Sequence, residues 1–163
     1  MLKLKIERLD AKTFEPFGRV LARPDIPPAA AREDLDAWLG YSDLMGMEGG
    51  NPRIAYLQVR RNDLPLNQLE RHCQAPEGFI PLEGSSVIIV APISDPEDPD
   101  AFPDEDAVRA FLLDGSAGIL LPRGSWHWAP YPITETATFL LLHDRDILDD
   151  IQIRKVGTYT LEL

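Results

Sequence analysis

Leu69-Glu70-Arg71-His72-Cys73-Gln74-Ala75-Pro76-Glu77-Gly78-Phe79-Ile80-Pro81-Leu82-Glu83-Gly84 sets a His, a Gln and a Glu just ahead of an apolar run that ends at a glycine. Much later, Pro122-Arg123-Gly124-Ser125-Trp126-His127 returns a His. Two polar clusters on either side of an acidic insert are what a small β-barrel needs to line one pocket. Strand alternation gives a geometric expectation. If His72 points inward, so do Glu70 and Gln74; if His127 does, so do Ser125 and Arg123. Pro76 and Gly78 interrupt the alternation, so Glu77 is judged separately. Two imidazoles and a carboxylate at a barrel mouth suit a divalent metal held by His72, Glu77 and His127. They suit a metal-free acid and base pair equally well.

The rest of the chain predicts a mostly β protein. Leu2, Leu4 and Ile6 alternate with Lys3, Lys5 and Glu7, the period of a half-buried strand. Asp10 is placed to cap a helical turn over Ala11 to Phe17, which Gly18 closes. Further strands are expected over Arg19 to Ala22, Arg53 to Arg60, Glu77 to Leu82, Ser86 to Ala91, Val108 to Leu113, Gly118 to Leu121, Thr136 to His143, Ile151 to Val156 and Thr158 to Leu163. Glu83-Gly84-Ser85 is a hairpin-type turn signal between two of them. Ala29 to Leu39 is the best helix candidate, with loops over Pro24 to Pro28 and Asp43 to Asn51. Ser94 to Asp106, acidic and Pro-rich, reads as a solvated loop. Many short strands with a few short helices indicate a single domain over residues 1–163, as a barrel or a sandwich.

Composition narrows the partners. The 163 residues carry a net charge of −11, which argues against nucleic acid and against an anionic membrane surface. The single cysteine, Cys73, allows no intrachain disulfide and fits a reducing compartment. The N-terminus has no apolar signal core, and no run approaches the roughly 20 apolar residues of a membrane helix, so the expected location is the cytoplasm. A small anionic substrate needs local arginines, because the guanidinium fork matches a carboxylate; Arg60, Arg109 and Arg123 are the strand candidates. Cys73 reads as a bystander thiol, His143 as a rim residue, and Trp38, Trp126 and Trp128 as packing aromatics.

These residues resemble a known family. Leu64-Pro65-Leu66, Leu69-Glu70-Arg71-His72, Phe79-Ile80-Pro81-Leu82, Gly84, Val108-Arg109-Ala110-Phe111, Gly118 and Arg123-Gly124-Ser125-Trp126-His127 look like the central signature of bacterial ureidoglycolate lyase. Pro122-x-Gly124-x-x-His127 also matches the second cupin motif, and His72 with Glu77 to Gly84 echoes the first, Gln74 standing where a metal-binding cupin often has a second His. The resemblance implies a cupin-like β-barrel (a double-stranded β-helix), a homodimer, no cofactor, and cleavage of (S)-ureidoglycolate to glyoxylate and urea by acid–base elimination in allantoin breakdown. His72, Glu77 and His127 then become the catalytic candidates. Gln74, Arg109 and Arg123 become the groups that hold a carboxylate-bearing substrate. The chain departs from the family pattern at Pro122 and Trp128, where a basic residue and a second His are usual. A non-catalytic cupin binding a small carboxylate metabolite, and a metal-dependent cupin enzyme, are the alternatives.

Overall fold

The computed structural model describes residues 2–22, 32–35, 38–41, 52–144 and 147–162. Its strands in chain order are β1 (Leu2–Arg8), β2 (Arg19–Leu21), β3 (Arg32–Leu35), β4 (Trp38–Tyr41), β5 (Pro52–Arg60), β6 (Leu66–His72), β7 (Glu77–Glu83), β8 (Ser86–Ala91), β9 (Arg109–Leu113), β10 (Gly118–Leu121), β11 (Trp126–Pro132), β12 (Thr136–Asp144) and β13 (Ile151–Glu162). The order β1-β13-β6-β11-β8-β9 closes into a barrel, and β2-β10-β7-β12-β5 forms a second sheet. The protein is therefore mostly β and cupin-like. One short helix, α1 (Ala11–Phe14), follows β1, and the Asp10 carboxylate accepts from Lys12 N and Thr13 N at 3.1 and 3.0 Å.

Alternation on the barrel strands creates two cores. One barrel face carries Leu69, Val87, Ile89, Ala110, Trp126 and Tyr159 and fills the interior. The other face presents Ile88, Val90 and Phe111 to the second sheet, where Phe79, Ile119 and Phe139 meet them. Phe14 and Phe17 enter this second core from the α1 region, and Phe14 stands edge-on to Phe111 at 5.1 Å. Each such buried side chain contributes roughly 1.5–3 kcal/mol by leaving water.

Three local expectations are corrected. Glu83-Gly84-Ser85 is not a hairpin, because β7 pairs with β10 and β12 while β8 pairs with β9 and β11. It is a crossover between the two sheets. Gly84 takes φ +74° there, and a Cβ would collide with Thr136 O, so the same turn chemistry serves a sheet switch. Within Ala29 to Leu39, the described residues form the β3–β4 hairpin instead of a helix; their apolar residues lack helical spacing. The expected Pro24 to Pro28 and Asp43 to Asn51 loops lie outside the described residues. The two expected strands Ile151 to Val156 and Thr158 to Leu163 form one, β13; β11, for which no strand was expected, runs through Pro130 and Pro132 with an irregularity between Trp128 and Tyr131.

The acidic segment is anchored as well as solvated. Arg71, fully buried, sends Nη1 to Ser94 Oγ at 2.8 Å and to Asp95 O at 3.0 Å. Its Nη2 reaches Asp98 O and Gln152 Oε1, and its Nε also reaches Gln152. The guanidinium lies over the Trp126 ring, 4.8 Å from its centre. Arg154 adds a bond to Pro99 O at 2.6 Å. A fork of donors that each find an acceptor turns a charged stretch into a fixed rim.

Candidate functional site

Three strands converge on one polar cluster between the barrel and the second sheet. β6 ends with Glu70 and His72, β7 begins with Glu77, and β11 begins with Trp126 and His127. Glu70 stands directly opposite His127 in the β6–β11 pairing, so the two side chains share a face. The two stretches are also joined by backbone: Gly124 N donates to His72 O at 2.8 Å. Gly124 adopts φ +79°, and a Cβ there would collide with Ser94 O, so the turn that delivers His127 requires glycine.

His127 Nε2 lies 2.9 Å from Glu77 Oε2, and its Nδ1 lies 3.1 Å from Ser125 O. A carbonyl only accepts, so Nδ1 carries a proton, and an ionised Glu77 accepts one from Nε2; the lowered Glu77 pKa and the raised His127 pKa both favour that charged pair. His72 Nε2 is 3.5 Å from the same Glu77 oxygen, and the two imidazole rings are tilted at 5.5 Å. Glu70 Oε1 is 3.8 Å from His127 Nε2. His72, Glu77 and His127 are all buried, and Phe79 walls the ring of His127 at 6.2 Å.

The electrostatics follow from this geometry. Burial alone drives the Glu77 carboxyl upward, but hydrogen bonds from His127 and His72 outweigh it and hold the pKa down at about 2. Burial likewise pushes His127 down, yet the Glu77 hydrogen bond and charge, aided by Glu70, leave it raised. For Glu70, burial is the largest influence, and with the Glu77 charge it outweighs the attraction of His127, so the pKa is raised. Two carboxylates beside one imidazolium are thus driven in opposite directions.

The donors of Glu70, His72 and His127 all lie within 4.8 Å of one another, close enough to hold a divalent ion. A ligand must offer a lone pair, and in the ionised pair His127 Nε2 gives its proton to Glu77. Cation binding at His72, Glu77 and His127 would first have to break that pair.

The remaining sequence candidates sit elsewhere. Gln74 is exposed, and its backbone N–H bonds Asp150 at 2.7 Å; β6 has ended at His72, so alternation no longer applies to it. Arg109 forms a bidentate pair with Glu7 and donates to Thr13 O at 3.1 Å. Arg123 donates through Nε to Cys73 O at 2.7 Å and through Nη2 to Glu97. Ser125 is buried with its hydroxyl on Phe17 O at 2.6 Å. Trp128 lies two residues beyond Trp126 on the same strand and packs against the barrel interior core. The departure from the family pattern at Trp128 therefore falls on the face opposite His127. Glu70 and Arg71 carry roles that were not assigned from sequence. Alternation from His72 marks Glu70, whereas the acceptors of Arg71 are scattered from Ser94 to Gln152 and leave no local signal.

A closed β-barrel backed by a second sheet, with a buried imidazole–carboxylate cluster between them, defines a cupin-like protein. The chain belongs to the ureidoglycolate lyase family, whose profile matches residues 1–160. Among its relatives, the ureidoglycolate lyases of Salmonella typhimurium and Salmonella paratyphi B are each 26% identical to it, and the alignments cover 98% of both chains. That of Salmonella enteritidis PT4 is 25% identical over the same share. Among the described residues, no helix is long and apolar enough to cross a membrane.

Proposed function

We propose that the protein cleaves ureidoglycolate to glyoxylate and urea by acid–base elimination at the Glu70–His72–Glu77–His127 cluster. The observation that carries this reading is the buried His127 ring, its Nδ1 on the Ser125 carbonyl and its Nε2 facing two carboxylates. In the reaction the substrate hydroxyl loses its proton, the O–H electrons form the carbonyl of glyoxylate, the C–N bond breaks, and the departing urea nitrogen takes a proton. His127 supplies that proton, and Glu77 keeps the ring charged and oriented until it does. His72, with a buried Nδ1 that has no partner among the described residues, is available to hold a polar substrate group.

The reading needs no cofactor. It takes a small carboxylate-bearing molecule as the substrate, in a cytoplasmic homodimer serving allantoin breakdown. Arg109 and Arg123 are engaged in protein pairs, so the substrate carboxylate is assigned to the imidazole side of the cluster.

The direct test is glyoxylate and urea release from ureidoglycolate by the purified protein, compared with His127→Ala. General acid loss predicts a drop of about 10²–10⁴-fold. Undiminished turnover in the variant ends the assignment. Elemental analysis, with turnover measured after chelation, separates the metal-dependent alternative: activity lost on chelation and restored by a divalent ion overturns the metal-free mechanism.

A further inference from the structure

We propose that Glu70 is the general base of this site, the group that takes the substrate hydroxyl proton; the proposal rests on the elimination reading above. Three features separate Glu70 from its neighbours.

The first is position. Glu70 Oε1 faces the same His127 Nε2 that Glu77 binds, at 3.8 Å against 2.9 Å. A group seated beside this pair therefore meets an acceptor, Glu70 Oε1, next to a proton donor, His127 Nε2. A carbon bearing both a hydroxyl and a nitrogen requires that pairing.

The second is access. The Glu70 side chain is 17% exposed, against 1% for His127 and 7% for Glu77. On the same face, β13 places Ile153 directly opposite Glu70, and Ile153 is itself 47% exposed. Glu70 is thus the most solvent-exposed of these three side chains.

The third is availability. Among the described residues, Glu70 makes only the long contact to His127, whereas Glu77 is committed to both imidazoles. A carboxylate whose acceptor sites are filled by neighbours holds structure, and one left open can accept from a ligand. The ionisable groups facing Glu70 are His127, His72 and Glu77.

The proton balance closes within the cluster. The hydroxyl proton passes to Glu70, the C–N electrons leave with nitrogen, and nitrogen takes the Nε2 proton of His127. Glu70 is then a carboxylic acid and His127 a neutral imidazole. Proton return between these two facing groups restores the starting state.

The experiment compares wild type, Glu70→Gln, Glu70→Asp and Glu70→Ala for glyoxylate release across pH, with folding checked by circular dichroism. The expected result is a fall in kcat of about 10²-fold or more for Glu70→Gln, with KM within about threefold. The limb of the kcat–pH profile set by the base disappears, Glu70→Asp recovers part of the rate, and added formate restores turnover to Glu70→Ala. Wild-type kcat in Glu70→Gln, or a raised KM alone, overturns the assignment while leaving the lyase reading intact. Wild-type protein that releases no glyoxylate overturns the lyase reading, and the base assignment with it.

Discussion

Replacing Glu77 by Gln removes one charge from a buried pair and keeps the side-chain volume. The carboxyl is held at about 2 rather than 4.5, which corresponds to about 3 kcal/mol of stabilisation of its ionised form. Its share of folding stability is present above pH 4.5 and is lost as pH falls through about 2. The raised His127 contributes in the opposite sense: its share is present below 6.5 and is lost as pH rises through its folded value. The two windows overlap at about pH 5–6, and there the variant is expected to lose about 3 kcal/mol. For a chain of this size that is a Tm lower by about 6–12 °C. The difference shrinks on either side of the window. Without Glu77, burial becomes the dominant influence on His127, and its pKa falls below the ordinary value. Thermal melts from pH 3 to 9, with His127 followed by ring-proton or nitrogen NMR, measure both quantities. A His127 that stays protonated at pH 8 in the variant, or a stability loss that does not depend on pH, refutes the charged-pair account.

Gly124→Ala forces a left-handed turn onto a side chain that collides with Ser94 O. We expect a loss of at least about 2 kcal/mol in urea unfolding; unchanged stability would contradict the observed turn. Arg71→Lys leaves too few donors for Ser94, Asp95, Asp98 and Gln152. Limited proteolysis should then cut faster within residues 94–101, and an unchanged cleavage rate refutes the anchoring role. Arg109→Ala should change stability by about 1 kcal/mol or less, because the pair with Glu7 is partly exposed. It should leave KM for ureidoglycolate within about twofold; a tenfold rise would return Arg109 to the substrate.

The strands were readable where one face is wetter than the other, as in β1 and β5, because period two survives translation into burial. Fully buried β8 and β10 were readable as apolar runs. The sheet partners were not: Glu83-Gly84-Ser85 has the residues of a hairpin, and only the β10 and β12 contacts of β7 reveal a crossover. Ser94 to Asp106 looked like solvated charge because Arg71, its anchor, is distant in sequence. In the site, His72, Glu77 and His127 came from motif spacing, and the structure brings them together. Arg109 looked available because Glu7, its partner, is 102 positions away. Gln74 failed to join because the strand stops two residues before it. Local patterns thus recovered the groups on strands, and missed what long-range pairing does to them.

The bond from Gly124 N to His72 O has a kinetic side. β1 pairs in parallel with both β13 and β9, so the barrel closes only when the first and last strands meet. The acid–base cluster depends on the same closure, since its members come from β6, β7 and β11, none of which pairs with another through a tight turn. Folding dominated by such distant pairings is slow, on the order of milliseconds to seconds. Recovery of turnover after dilution from denaturant should therefore coincide with the last folding phase. A chain truncated before β13 should gather strands without ever assembling the cluster.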